Sequence, residues 1–156
     1  MENAQQLASR VREVLLDGTW IANTNYKDQI FHVSFEEAAH KVASLNTIAL
    51  LTFHINYYVA GVLNVFENGI LDIRDKYSFD MPPLNNSEDW DKLRNTLISN
   101  SKKLAIHIEA MTEAQLNANF VDQKYGNYRR NIEGLIEHSY YHLGQISLIK
   151  KLIRDK

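Results

Sequence analysis

Cysteine is absent from this sequence, and proline and glycine are scarce. The chain has 156 residues, with no cysteine, two prolines and six glycines. The absence of cysteine excludes disulfides, thiolate metal ligands and a cysteine nucleophile. The two prolines are adjacent, at Pro82 and Pro83, so they interrupt the chain at one place. Because proline and glycine are the residues that break helices, their scarcity favours long uninterrupted helices.

The sequence also lacks a strong charge excess and a targeting signal. The formal net charge is -2, and the basic residues are scattered apart from Lys150, Lys151 and Arg154. This balance gives no electrostatic reason to expect nucleic acid or an anionic membrane as a partner. The amino-terminal stretch MENAQQLASRVREV is polar, unlike a secretory signal, and no apolar run approaches the roughly 20 residues that span a bilayer. We therefore expect a soluble cytoplasmic protein.

Hydrophobic residues recur at helical spacing in four long segments. The predicted helices are residues 3–16, a segment that follows Asn46 and ends at Asn68, a segment capped by Ser87, and a last segment that starts between Asn127 and Ile132 and runs to about Ile153. The second segment is rich in residues that favour β-strands, but at about 21 residues it is about twice as long as a long strand, so we predict a helix. We predict an all-α protein with a single domain over residues 1–156, an up-down four-helix bundle with long connections.

Shorter elements and loops connect these segments. Ser34 and Glu37 have the spacing of a capping box, which predicts a short helix, and Thr112 could cap another short turn. Residues 19–33 are predicted as a loop, and residues 70–86 as a connector; segments this long often shape a site. Tyr26 and Lys27 in the first loop could cover a pocket, but we favour a solvated loop there.

Two histidines lie four residues apart in the stretch IEHSYYHLGQI near the end of the sequence. His138 and His142 belong to the last predicted helix, where this spacing places their side chains about 40 degrees apart on one face. The same face carries apolar residues, so both imidazoles should point towards the interior or its edge. Histidines at this spacing can reach one ion from adjacent turns, as in some zinc sites.

His54 is a candidate third ligand. It lies on the second long helix, on an apolar face that it shares with Gly61, where another backbone or a ligand could come close. Bundles assemble metal sites from facing helices, so His54, His138 and His142 could hold one divalent ion. The alternative is that these histidines are hydrogen-bonded residues of an ordinary core. Periodicity leaves both interpretations open.

Two polar residues are candidates for a role beside the histidines. Gln145 shares their face and could orient a ligand ring or metal-bound water, or could form a hydrogen bond between helices. Tyr58 lies one turn after His54 and could donate to a substrate. Packing in the core with a bonded hydroxyl is the role that we favour for this tyrosine.

The two histidine-bearing helices, NTIALLTFHINYYVAGVL and IEHSYYHLGQI, together resemble the DinB-like superfamily, which includes the YfiT-type proteins and the bacillithiol- and mycothiol-dependent transferases. The likeness follows the element order over nearly the whole chain, and its most specific part is the H-x-x-Y-H-x-G-Q core from His138 to Gln145, together with His54. The resemblance implies a four-helix bundle, usually dimeric. By position it implies that His54, His138 and His142 hold the metal.

The resemblance also implies a divalent-metal-binding protein and a metal-dependent enzyme, either a thiol S-transferase or hydrolase-like. Three histidines leave an open coordination position for water or substrate. Since the chain has no cysteine, the thiol would come from a small-molecule cosubstrate and would attack an electrophilic substrate. Zinc is the first choice of metal and nickel the next. The alternative is a non-catalytic bundle or dimerisation scaffold whose histidines are structural.

Overall fold

A computed structural model describes residues 1–155, and this part of the chain is helical throughout its regular structure. Its α-helices are α1 Ala4–Arg12, α2 Tyr26–Phe31, α3 Phe35–Ala39, α4 Ile48–Asn68, α5 Ser87–Glu109, α6 Glu113–Asn117 and α7 Tyr128–Arg154. A π-helical turn, Glu13–Asp17, extends α1, and 3-10 turns lie at Asp75–Tyr77 and Gln123–Tyr125. The prediction of an all-α protein is confirmed for these residues.

The helices begin at side-chain caps, and two of the predicted caps are wrong by one residue. Thr47, not Asn46, caps α4 and accepts a hydrogen bond from the Leu50 amide. Asn86, not Ser87, caps α5 in the same way. In each place two residues with good capping side chains are adjacent, and the one that directly precedes the first helical residue takes the role. The predicted caps at Ser34 and Thr112 are confirmed, each within a full capping box.

The segment predicted as a solvated loop, residues 19–33, contains helix α2. Asn25 caps this helix by accepting from the Asp28 amide. Tyr26 and Ile30, four residues apart, are both fully buried. The Tyr26 hydroxyl donates to the Ser139 carbonyl over 2.7 Å. The prediction failed because the segment is polar in composition, whereas its helix is stabilised by these long-range contacts.

The three longest helices and α1 share one apolar core. Within it, the buried hydroxyls of Thr52, Ser101 and Ser139 each donate to the carbonyl four residues earlier on their own helix. The buried Trp90 indole donates to the Val33 carbonyl over 2.8 Å. Buried polar groups are costly unless they are bonded, and these bonds let polar residues lie among apolar ones.

Helix α4 is the most apolar element of the chain. By length and composition it could cross a membrane, since its best 18-residue window has a mean hydropathy of 1.4. The prediction that no apolar run approaches the length of a membrane span was therefore wrong. However, 61% of that window is buried inside the protein. The core helix of a soluble protein has this arrangement, so the helix is only weak evidence for a membrane span.

The connector, residues 70–86, lies against α4. The Tyr57 hydroxyl accepts from the Arg74 amide over 2.8 Å and donates to the Arg74 carbonyl over 2.9 Å. At Gly61 a Cβ atom would lie only 2.5 Å from Cδ1 of Ile73, so glycine is needed for this approach. The close approach expected at Gly61 is thus made by the connector, which is held over the face of α4 that carries His54.

Candidate metal centre

The imidazoles of His54, His138 and His142 meet between α4 and α7. His54 Nε2 lies 3.2 Å from His138 Nε2, which lies 2.9 Å from His142 Nε2. One ligand atom from each ring lies within 4.8 Å of the other two. His54 and His142 are buried, at 4% and 7% exposure, and His138 is half-buried. The expected convergence of rings from two helices is therefore present.

The Nδ1 atoms of two rings are bound to oxygen acceptors. His54 Nδ1 lies 3.1 Å from the carbonyl oxygen of Ser78, and His142 Nδ1 lies 2.7 Å from Oε1 of Gln145. A carbonyl oxygen can only accept, so in each ring Nδ1 carries the proton and Nε2 presents a lone pair. Histidines that ligate metals have this arrangement, in which the outer nitrogen donates to a neighbouring oxygen.

The inner nitrogens consequently form a cluster of acceptors. The Nε2 atoms of His54 and His142 are both unprotonated, and His138 Nε2 can donate its single proton to only one of them. At least one inner nitrogen is then left without a donor among the three rings, which is unfavourable in a partly buried cluster. A cation at the common point removes this conflict.

The spacing of the cluster also fits a cation. Metal–nitrogen distances of about 2.0–2.1 Å in tetrahedral geometry put neighbouring ligand nitrogens about 3.3–3.4 Å apart. Two of the three pairs of nitrogens, at 2.9 and 3.2 Å, lie within a few tenths of an ångström of this spacing, and the third pair lies within 4.8 Å. Three histidines at this spacing can hold one metal ion.

Burial keeps the three rings neutral. Burial, together with the neighbouring His142 and His54, lowers the pKa of His138 to about 4. Burial also lowers the pKa of His54 and of His142. At neutral pH the rings therefore offer uncharged nitrogens, which is the form that binds a metal.

The connector supplies part of the site that the sequence did not reveal. The Phe79 ring stacks on His54, with centroids 3.9 Å apart and planes inclined by 8°. Ser78 provides the backbone acceptor for His54, and Oδ1 of Asp75 accepts from the Tyr58 hydroxyl over 2.8 Å. The DKYSF stretch that holds these residues is aromatic and contains an acid, but its placement depends on contacts with α4 that have no periodic pattern.

The two accessory candidates both contact the cluster. Gln145 bonds His142 directly, as one of its two expected roles requires. Tyr58 packs edge-on against His54 and His138, with centroids 5.2 and 5.1 Å apart. Burial raises the pKa of Tyr58, so its hydroxyl stays protonated at neutral pH. Tyr26, by contrast, lies in the core rather than over the site.

Comparison of the chain with protein-family models, with curated proteins and with solved structures gives no match.

Proposed function

We propose that this protein binds a divalent metal through His54, His138 and His142 and is a metal-dependent enzyme, a thiol S-transferase or hydrolase-like. The observation that carries the proposal is the convergence of the three imidazoles, with Nδ1 of two of them at hydrogen-bond distance from an oxygen atom. Ser78 and Gln145 hold the protons of His54 and His142 on the outer nitrogens, which aims both inner lone pairs at one point. The likeness to the DinB-like superfamily is part of the same proposal.

The proposal includes an architecture and a location. We regard α1, α4, α5 and α7 as the four members of an up-down bundle with long connections, of the DinB-like kind. Their lengths and the long connector support this reading. We also propose a homodimer in the cytoplasm, with neither nucleic acid nor membrane as a partner; the small net charge of -2 supports the last point.

When bound, a divalent cation with three neutral ligands acts as a Lewis acid and lowers the pKa of a coordinated thiol or water. The protein's own residues position the ligands. Phe79 covers one face of His54, and Gln145 orients His142. The Tyr58 hydroxyl donates its single proton to Asp75, so beside His138 it presents an acceptor oxygen to a polar group of the substrate.

The choice of a thiol rests on composition as well as resemblance. The chain has no cysteine, so any sulfur nucleophile comes from a small molecule. Neutral protein ligands leave the charge of the cation uncompensated, and an anionic thiolate or hydroxide would balance it. Zinc suits three imidazoles best, and nickel is the second choice.

A non-catalytic scaffold is the second candidate, and one observation favours it. The three rings already contact one another and several aromatic neighbours, so they fill the space between α4 and α7 as core residues do. In that case replacing a histidine would change stability without removing any activity.

Metal analysis tests the proposal. Untagged wild-type protein, prepared without chelators and supplied with zinc or nickel, should hold about one ion per chain. His54→Ala and His138→Ala should lose it. His107→Ala is the matched control, because His107 is half-buried on α5, beside Glu67 at 3.6 Å and outside the cluster. Wild-type protein that takes up neither metal would refute the proposal.

Turnover separates the enzyme from the scaffold. Zinc-loaded protein is assayed with a panel of small thiols and an aromatic halide as the electrophile. If the protein is an enzyme, the wild type should form a thioether and release halide in a metal-dependent reaction, and the His138→Ala variant should not. Absence of turnover with every thiol and with hydrolysable esters would favour the scaffold.

A further inference from the structure

A groove of about 430 Å³ lies on the far side of α7 from the histidine cluster. Tyr140 forms the α7 wall and follows His138 by two residues, which is about 200° round the helix, so it faces away from the cluster. The other walls come from α1, from its π-helical extension and from the turn that follows. The residues that line the groove are Glu2, Arg10, Glu13, Trp20, Ile21 and Tyr140.

Two of these side chains are large, apolar and exposed. Trp20 is 87% exposed and Ile21 is 64% exposed. They belong to a hydrogen-bonded turn, in which the Asn23 amide donates to the Thr19 carbonyl over 2.8 Å. Among aromatic side chains, the indole attracts a cation most strongly. The groove therefore presents a cation-binding ring beside an aliphatic side chain.

The charged residues of the groove carry one negative charge in excess, since two are carboxylates and one is a guanidinium. Arg10 pairs with Glu2 over 2.5 Å, which balances these two charges. The remaining charge belongs to Glu13, whose Oε1 atom is buried without a hydrogen-bond partner in residues 1–155. A buried acceptor without a donor is costly. A positively charged donor from a ligand would supply what this carboxylate lacks.

An uncommon backbone conformation places Glu13 in the groove. Glu13 begins the π-helical turn Glu13–Asp17, and such turns are rare but frequent at functional sites. The Gly18 amide donates to the Glu13 carbonyl over 3.2 Å. A Cβ atom at Gly18 would lie only 2.5 Å from Cα of Glu13, so glycine is needed for this close return of the chain. The turn thus fixes Glu13 beside the segment that carries Trp20.

We infer that this groove binds a small-molecule primary amine, with its ammonium group on Glu13 and its apolar part on Trp20 and Ile21. The ammonium donates charge-assisted hydrogen bonds to the carboxylate, and its positive charge lies against the indole. The alkyl or aryl part of the amine covers apolar surface that is otherwise exposed. The groove and the histidine cluster have different residues, so this inference does not rest on the proposed metal function.

The indole N–H resonances of the two tryptophans, observed by NMR, test the inference with an internal control. Trp90 is 1% exposed and its indole bonds the Val33 carbonyl, so only the Trp20 resonance should shift on binding. Trp20→Phe assigns the two resonances. Hexylammonium is the probe, and hexanol is the matched neutral compound. Hexylammonium should bind about threefold to thirtyfold more tightly than hexanol, because only hexylammonium carries the charge.

Substitutions in the groove test its two parts separately. Glu13→Gln should weaken hexylammonium binding about threefold to tenfold and leave hexanol binding unchanged. Glu36→Gln is the matched control, because Glu36 is an exposed acid on α3 outside the groove lining. Trp20→Ala should weaken hexylammonium binding by a similar factor, measured by titration calorimetry. An unchanged Trp90 resonance in each variant shows that it is folded.

Four results would overturn the inference. The first is a Trp20 resonance that hexylammonium does not shift, and the second is an equal affinity for hexanol, which would indicate an apolar patch alone. The third is wild-type affinity for hexylammonium in Glu13→Gln, which would remove the carboxylate from the site. The fourth concerns hexyltrimethylammonium, which has the charge but no N–H donor. If it binds as tightly as hexylammonium, the site does not select a primary amine.

Discussion

Replacing Gln145 by alanine removes the oxygen that accepts the hydrogen bond from His142 Nδ1. The bond is 2.7 Å long and joins a buried ring to a half-buried amide. Without it, His142 can rotate or adopt the other tautomer, which would put a proton on the nitrogen that faces the cluster. A buried donor left without its partner costs about 1–3 kcal/mol. Because the site is partly open, we expect about 1–2 kcal/mol, which is about fivefold to thirtyfold weaker affinity for zinc.

Competition with a chromophoric chelator measures this change as the ratio of zinc Kd values for the variant and wild type. Gln145→Glu is the matched variant, because a carboxylate still accepts from His142 Nδ1 and should preserve or strengthen the affinity. Thermal unfolding after metal removal provides the second readout, since a packing role alone would lower Tm even in metal-free protein.

An unchanged zinc Kd in Gln145→Ala would refute the assignment of Gln145 as the residue that orients His142. A fall in metal-free Tm large enough to account for the whole loss of affinity would also refute it. In that case the hydrogen bond would serve helix packing, the other role that the sequence allows for this residue.

Three further predictions concern pH, the connector and the last helix. Burial lowers the pKa of all three rings, that of His138 to about 4, so the rings stay neutral below the usual imidazole pKa. Zinc should therefore still be bound at pH 6 and be released as the pH falls towards 4. Complete release by pH 6 would contradict this prediction. Phe79→Ala uncovers His54. The transfer of zinc to a chelator, measured by stopped flow, should therefore become about twofold to tenfold faster. An unchanged rate would show that the stacked Phe79 ring does not retain the metal. Glu37 bonds Arg154 over 2.8 Å, and this holds the pKa of Glu37 at about 2; a lowered carboxylate pKa stabilises the fold above about pH 4.5 and ceases to do so as the pH falls through 2. Glu37→Gln, which preserves the capping box, should therefore reduce the free energy of unfolding by at most about 1 kcal/mol at pH 7 and have no effect near pH 2; an equal loss in urea melts at both pH values would exclude the ion pair as the cause.

The sequence predicted the long helices because each has its own periodic pattern and local caps. The last helix begins at Tyr128 and ends at Arg154, within the predicted limits at its start and one residue beyond them at its end. Helix α2 was missed since its determinants are not local: Tyr26 is held by a bond to the carbonyl of Ser139, 113 residues away. The polar composition of this segment predicted a loop, but contacts with distant residues stabilise a helix there.

The candidate site divides in the same way between local and long-range information. A four-residue spacing was enough to place His138 and His142 on one face, and an apolar face placed His54 inside. The acceptor for His54 is a backbone carbonyl, that of Ser78, and a backbone group carries no residue-type signal. The stacked ring of Phe79 likewise depends on how the connector crosses α4, which no repeat in the sequence describes.

The charges around the cluster favour an anionic fourth ligand from outside the protein. Three neutral imidazoles contribute no negative charge, and the carboxylate of Asp75 is separated from them by the Tyr58 hydroxyl that it holds. A bound divalent cation would therefore keep its full charge in a partly buried space, where that charge is poorly solvated. A thiolate or hydroxide relieves this cost directly, while a neutral ligand does not. The same reasoning makes Asp75→Asn informative, because removing the negative charge that acts on His54 and His138 should increase the preference of the metal for thiolate over neutral ligands.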